Sequence, residues 1–297
     1  MNITMKSRWR YGCSIVSLCL MVMSVVIISV KGLNFGLDFT GGVVNEIRMD
    51  KHIEASEIRS HLQQSYGQDV ALVSAGEPGR WVIRYQAPKA GEVQPDIKQV
   101  LMPLTHSLEV LNTSIVGPQV GSELAQQGAL ALLVTVICIM GYLSFRFEWR
   151  LACGALFALV HDVVFVIAFF SLTQMEFNLT VLAAVLAILG YSLNDSIIIA
   201  DRIRELLMAK PKEPLAQINN MAITATFSRT MVTSGTTLLT VAALWFMGGE
   251  PLAGFSIAMF IGILTGTFSS VSVGATLPEF LGLSSRHYLP KPISEEF

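Results

Sequence analysis

Six stretches of about 20 apolar residues, at about 11–31, 126–145, 151–172, 178–200, 229–247 and 254–277, constrain this chain more than any other feature. A bilayer core about 30 Å thick takes roughly 20 apolar residues as a helix, and inside it every backbone amide has to bond within its own element. The chain is therefore read as a polytopic α-helical membrane protein with six transmembrane helices. Composition agrees. Of 297 residues 52% are hydrophobic and only 14% charged, too apolar for a soluble chain of this length. Membrane lipid is its expected surroundings. A net charge of −2 gives no basic excess, so no nucleic-acid partner is expected. Cys13, Cys19, Cys138 and Cys153 all lie in apolar runs without CxxC or Cys/His spacing, so they are read as small apolar residues, and no metal or cofactor is expected. The first run follows Lys6, Arg8 and Arg10 but lacks a small-x-small cleavage site; it is read as a retained anchor.

Short-loop lysines and arginines favour the cytoplasm. The second turn holds Arg146 and Arg150, the loop after the fourth span Arg202, Arg204, Lys210 and Lys212, and the tail Arg286 and Lys291, all on the side of the N-terminal charges. Residues 173–177 and 248–251, on the other side, contain no Lys or Arg. Both termini are thus expected in the cytoplasm, with 1–31 the N-terminus and first helix, 32–125 an extracytoplasmic domain, 126–277 helices two to six and 278–297 a cytoplasmic tail. In 32–125 the pattern predicts strands at 43–49, 70–74, 81–85 and 113–116, with helices near 55–66 and 96–111. Ile97, Val100, Leu101, Leu104 and Leu108 form one stripe of the second helix. This βαββαβ order predicts a small α+β domain of ferredoxin-like, split-βαβ type.

No G-x-x-x-x-G-K-[ST] loop occurs, so nucleotide hydrolysis is not expected, nor is any enzymatic activity. The informative residues are ionisable groups inside the spans, each costing about 2.5–3.5 kcal/mol at a helix centre on insertion scales. Asp195 lies roughly 9 Å of helix rise before Asp201. Two readings stand for it: a static pair with Arg229 that ties two helices, or a buried carboxylate that exchanges protons. Arg229 heads a run in which Thr233, Thr236, Thr237 and Thr240 recur at helical spacing. Those hydroxyls either back-bond to their own helix or line a hydrated path. His161 and Asp162, in the middle of the third span, have to face protein or water, as a packing pair or a functional one. In the sixth span Gly254, Ala258, Gly262, Gly266, Ser270 and Gly274 make a small-xxx-small row for close helix packing. Its partner helix is left open between this chain and another subunit.

Three segments, Phe35-Gly-Leu-Asp-Phe-Thr-Gly-Gly42, Gly190-Tyr-Ser-Leu-Asn-Asp-Ser196 with Asp201-Arg-Ile-Arg204, and Arg229-Thr-Met-Val-Thr-Ser-Gly-Thr-Thr237, resemble the SecF family, a branch of the resistance-nodulation-division transporters. The similarity runs from the first span to about Gly282. It implies half of that transporter fold, and a subunit that pairs with SecD, docks on the SecYEG channel and uses the proton-motive force to draw translocating preproteins outward. By motif position, Asp195 and Arg229, with the neighbouring Asn194, match its proton-coupling site, and His161 and Asp162 match a family dipeptide that the resemblance adds to the same proton-coupling set. Gly36, Asp38, Gly41 and Gly42 match its turn beside the extracytoplasmic domain, expected to act as a hinge. A further family carboxylate lies in SecD. Sodium is an alternative to the proton at a carboxylate beside Asn and Ser. Two other functions compete: half of a proton-coupled exporter of small molecules or lipids, and a non-transporting translocon assembly factor. Segment 205–219 and the tail beyond Gly282 match no motif.

Overall fold

The structure, a computed structural model, describes residues 7–67, 70–75, 77–86, 94–105 and 107–288; Lys6, His106 and residues 289–297, with Lys291, lie outside them. The chain forms two compact units, one of residues up to Asn34 and from Leu130 onward, the other of Phe35–Ala129.

After the first long helix, α1 (Ser7–Lys31), the second unit begins with a one-turn helix, α2 (Leu37–Thr40). It continues as β1 (Gly42–Arg48), α3 (Ala55–Tyr66), β2 (Ala71–Ser74), β3 (Arg80–Tyr85), α4 (Ile97–Leu101) and β4 (Glu109–Val116). The four strands are antiparallel in the order β2-β3-β1-β4, the order of a ferredoxin-like split βαβ. Alternation along β1 turns Val43, Asn45 and Ile47 inward and Glu46 and Arg48 outward. The inward apolar residues meet Ile58 and Leu62 of α3 and Val100 and Leu101 of α4 in one core. Asn45 is polar in that core, and its amide is satisfied on both sides: it donates to the Tyr85 hydroxyl at 3.0 Å and accepts from Thr113 at 2.7 Å. Outward, Glu46 takes two bonds from Arg80, at 2.6 and 2.5 Å.

The predicted helix over 96–111 is corrected: α4 ends at Leu101 and β4 begins at Glu109. Pro103 explains the difference, because it lacks the amide hydrogen that would continue the helical ladder; Met102 before it still has helical backbone. Leu104 and Leu108 still pack on the core from the connecting turn, so the stripe reaches its target without the helix.

The first unit is a helix bundle. After α5 (Pro118–Arg146), which begins in the other unit, come α6 (Trp149–Thr173), α7 (Leu179–Ala209), α8 (Leu215–Met247), α9 (Glu250–Ser269), a π-turn at Ser270–Gly274 and the short α10 (Leu277–Phe280). With α1, and with α9, the π-turn and α10 taken as one span, six helices among the described residues are long and apolar enough to cross a membrane. The most buried helices are α6, α7 and α9, whereas α1, α5 and α8 leave most of their residues outside the buried core. Two predicted boundaries are corrected. α7 runs to Ala209 rather than about 200, and α8 starts at Leu215 rather than Arg229. Polar residues such as Gln217, Asn219, Asn220 and Ser228 hide the start of α8 from a hydropathy reading, yet Ile218, Ala222, Ile223 and Thr226 keep a buried face at helical spacing.

Candidate functional site

Asn178 caps α7 by accepting from the Val181 amide, and the helix then buries Val181, Val185, Ile188, Ser192, Asp195 and Ile199 on one face. Asp195 thereby points into the bundle and is 2% exposed. Its Oδ2 accepts from Ser234 of α8 at 3.4 Å, and Ser234 in turn accepts from Thr267 of α9 at 2.9 Å. The other carboxylate oxygen, Oδ1, takes no hydrogen bond from the described residues, and neither Ser196 Oγ nor Thr230 Oγ1 finds a partner there.

Among the described residues, neither of the two other residues expected at this site bonds to it directly, although the charge of Arg229 acts on it from a distance. Arg229 is exposed, and no ion pair within 4 Å joins it to Asp195 among the described residues. The cause is helical phase: α8 turns Thr226, Thr230 and Ser234 inward, and Arg229 sits about 100° around the helix from Thr230. Asn194 is likewise exposed, one step around α7 from Asp195. The threonine hydroxyls bond to their own helix. Thr233 reaches the Arg229 carbonyl at 3.0 Å, Thr236 that of Val232 at 2.9 Å and Thr237 that of Thr233 at 2.9 Å. Among the described residues only Thr237 of these three also receives a side chain, the Tyr191 hydroxyl at 3.3 Å.

His161 and Asp162 both lie on the buried face of α6. Asp162 is 0% exposed. Its Oδ1 accepts from His161 Nδ1 at 3.1 Å, and its Oδ2 accepts from Ser269 of α9 at 2.9 Å and from Ser192 of α7. His161 Nε2 lies 2.5 Å from Ser17 of α1. Four helices therefore meet on one His–Asp pair.

The row of small residues finds its partner in this chain: α9 packs on α7. A Cβ added at Gly262 would lie 2.5 Å from two Ile188 atoms, and one at Gly266 would lie 3.2 Å from Ser192 Oγ and 3.3 Å from Asp162 Oδ2. Gly266 thus permits the approach that lets Ser192 and Ser269 reach Asp162. Overpacking a buried contact costs about 1–3 kcal/mol. Gly262→Ala is therefore expected to lower the thermal midpoint in detergent clearly more than Gly266→Ala, and equal losses would contradict this packing.

Beside β1, only Gly41 and Gly42 of the expected hinge hold backbone that favours glycine, at φ 68° and 138°. Gly36 is ordinary extended backbone capping α2, and Asp38 lies in its first turn. A Cβ at Gly42 would meet the Tyr85 carbonyl oxygen at 2.8 Å, so this is a packed turn rather than a loose one.

Sequence reasoning assigned Arg10 to topology alone, but it is fully buried. Its Nη2 pairs with Glu279 at 2.7 Å and its Nη1 donates to the Ala275 carbonyl at 3.3 Å. Asn219 of α8 donates to the same two groups, at 3.2 and 2.9 Å, and Tyr11 also donates to Glu279. The π-turn makes this possible, since carbonyls released from the regular ladder there are open to side chains; Ser14 takes that of Ser272 at 2.8 Å. The only sequence signal was two opposite charges, each next to an apolar run.

The sequence profile described as "Protein export membrane protein SecD/SecF, C-terminal" matches residues 96–283, and the "SecD/SecF GG Motif" matches 26–51. The chain is 39% identical to the protein translocase subunit SecF of Escherichia coli O157:H7 over 97% of its length and 91% of that protein. It is also 39% identical to the subunit of the same name from Pseudomonas aeruginosa, over 93% and 90%. Among solved structures it resembles SecDF, a translocon-associated membrane protein from Thermus thermophilus, with TM-score 0.82 and 32% identity. A second SecDF structure, in a super-membrane-facing form, gives TM-score 0.69 at the same identity. In both, 95% of this chain covers only 38% of the SecDF chain. A profile match over well more than half of the residues, with relatives aligned nearly end to end, places this chain in the SecD/SecF family of protein-export membrane proteins.

Proposed function

We propose that this chain is the SecF-type subunit of a bacterial inner-membrane complex that uses the proton-motive force to promote protein translocation through the SecYEG channel. The observation that carries the reading is Asp195, a carboxylate sealed in the bundle with one oxygen engaged and the other open to a proton. Arg229 supports a second subunit. The guanidinium is exposed where the apolar run of α8 begins, and the α8 face that carries it is read as covered by SecD, with a SecD carboxylate as its partner. The SecDF chains, of which this one spans 38%, hold further sequence in which such a partner fits.

The proposed stroke is conformational rather than enzymatic. Protonation neutralises Asp195 and weakens its charge-assisted hold on Ser234, and through Ser234 on Thr267, so α8 and α9 are released relative to α7. Each charge moved through a potential of about 100 mV supplies about 2.3 kcal/mol, and several protons reverse an equilibrium of modest gap. Both termini are placed in the cytoplasm on the arginine and lysine distribution. In cells depleted of their own SecF, this chain with SecD is expected to restore preprotein export. Asp195→Asn is expected to insert and co-purify with SecD yet leave export at the depleted level; full restoration by that variant would refute the proposal.

A further inference from the structure

Ser234 and Thr267, which link Asp195 to α8 and α9, also line a groove between α1, α8 and α9. Its volume is about 380 Å³, inside the range of about 300–1,000 Å³ usual for a ligand site. Phe227, Met231 and Leu238 form the α8 wall, Leu264 and Phe268 the α9 wall, and Cys13 borders it from α1. The hydroxyls along it are already engaged within the protein. Ser234 donates to Asp195, Thr267 bonds to Ser234 and to the Ile263 carbonyl, both at 2.9 Å, and Ser272 donates to the Phe268 carbonyl at 2.7 Å. No lining residue carries a charge. The groove thus offers a ligand carbon surface alone, which suits a hydrocarbon chain and gives an ion, a polar metabolite or a peptide backbone nothing to bond.

Helical phase decides between a protein and a lipid as the occupant. Arg229 is two residues from both Phe227 and Met231, so at about 100° per residue it lies on the opposite side of α8 from the groove. SecD, read above as the cover of the Arg229 face, is thus placed away from it. The rim is apolar and open, with Met231, Leu264 and Phe268 all exposed. In a bilayer such a rim meets acyl chains, and an apolar hollow does not hold water. A volume of about 380 Å³ is also too small for a further helix, which is about 10–12 Å across with its side chains.

We propose that this groove binds one acyl chain of a membrane phospholipid, which packs between α8 and α9 beside the Ser234–Thr267 link to Asp195. The role of the chain rests on the proton-driven reading above; the site itself does not. In the proposed stroke α8 and α9 shift relative to α7, and the groove they share changes shape. A fluid chain follows its walls and keeps the Ser234–Thr267 link covered, whereas a rigid side chain in the same place resists the change. Gly235 makes that substitution possible. It lines the groove from α8, and a Cβ added there meets nothing within 4 Å, so a large side chain has room to enter. Gly141 of α5 is equally open and lies outside the groove.

The test is native mass spectrometry of the chain purified with SecD in detergent, counting the phospholipids that survive a detergent wash. Wild type and Gly141→Trp should each keep one phospholipid that Gly235→Trp has lost, and Gly235→Trp alone should lower gradient-driven export. The unaltered complex gives an independent reading. In bilayers of phosphatidylethanolamine and phosphatidylglycerol with a trace of phospholipid bearing a diazirine at the end of one acyl chain, irradiation should mark the peptides that hold Phe227 and Val271, and Gly235→Trp should remove the mark. Equal lipid retention in all three chains, or crosslinks from the groove to SecD or to a second copy in place of lipid, overturns the proposal and leaves the Asp195 reading intact. Lipid loss with gradient-driven export unchanged overturns the role given to the chain in the stroke. A groove lipid lost in Gly235→Trp, in membranes whose wild-type export ignores the gradient, overturns the proton-driven reading instead.

Discussion

Arg10→Met is expected to destabilise the helix bundle by about 3–5 kcal/mol, the usual consequence of removing one partner from a buried ion pair. The side chain is completely enclosed, and it compensates Glu279 with a bond of 2.7 Å while also covering the Ala275 carbonyl released by the π-turn. Without it, Glu279 keeps the neutral donors Tyr11 and Asn219 and a side chain that is 18% exposed. Glu279→Gln should be harmful for the converse reason, an enclosed guanidinium with no counter-charge. The double variant Arg10→Met/Glu279→Leu should recover much of the loss, because an apolar pair of similar volume has no charge to desolvate. Equilibrium unfolding in mixed micelles measures all three. A single-variant loss below about 1 kcal/mol, the size of an exposed pair, would contradict the enclosed geometry.

Asp162→Ala is expected to cost about 3 kcal/mol or more, since it orphans three buried donors at once and each unsatisfied group costs about 1–3 kcal/mol. Relaxation of the serines onto their own helices reduces this; Ser269 already shares a bond with the Gly266 carbonyl at 3.2 Å. His161 has no such alternative for Nδ1. Asp162→Asn, which keeps one acceptor oxygen, should lose less, and the order of the two variants in thermal unfolding is the check. If alanine and asparagine behave alike, the hydrogen bonds to Asp162 contribute little.

These two sites show where sequence runs out. The six spans and the strand order of the α+β unit were readable because they follow from run length and local periodicity. Asp195 stood out because a carboxylate in an apolar run is rare. Its surroundings were not readable: Ser234 and Thr267 reach it only because α8 and α9 are rotated to particular phases against α7, and those phases are set by contacts such as Gly262 on Ile188. The same rotation carries Arg229 away from the contact that adjacency of motifs suggested. Arg10 matched the rule for cytoplasmic arginines so well that its burial had no separate signal, and the π-turn that receives it leaves no mark in hydropathy. Ser17 and Ser269 are single hydroxyls in apolar helices, ordinary until the fold puts them on His161 and Asp162.

The central claim, that Asp195 couples proton movement to export, is tested most directly in inverted inner-membrane vesicles containing SecD and the translocon, with preprotein uptake measured with and without an uncoupler. Wild-type vesicles should lose a large part of uptake on uncoupling. Vesicles with Asp195→Asn or Arg229→Met, in which the complex is shown to be assembled, should start at the uncoupled level and not respond. Uptake that stays high in Asp195→Asn and still falls on uncoupling would contradict the account and leave Asp195 as a structural residue of the α7–α8 interface.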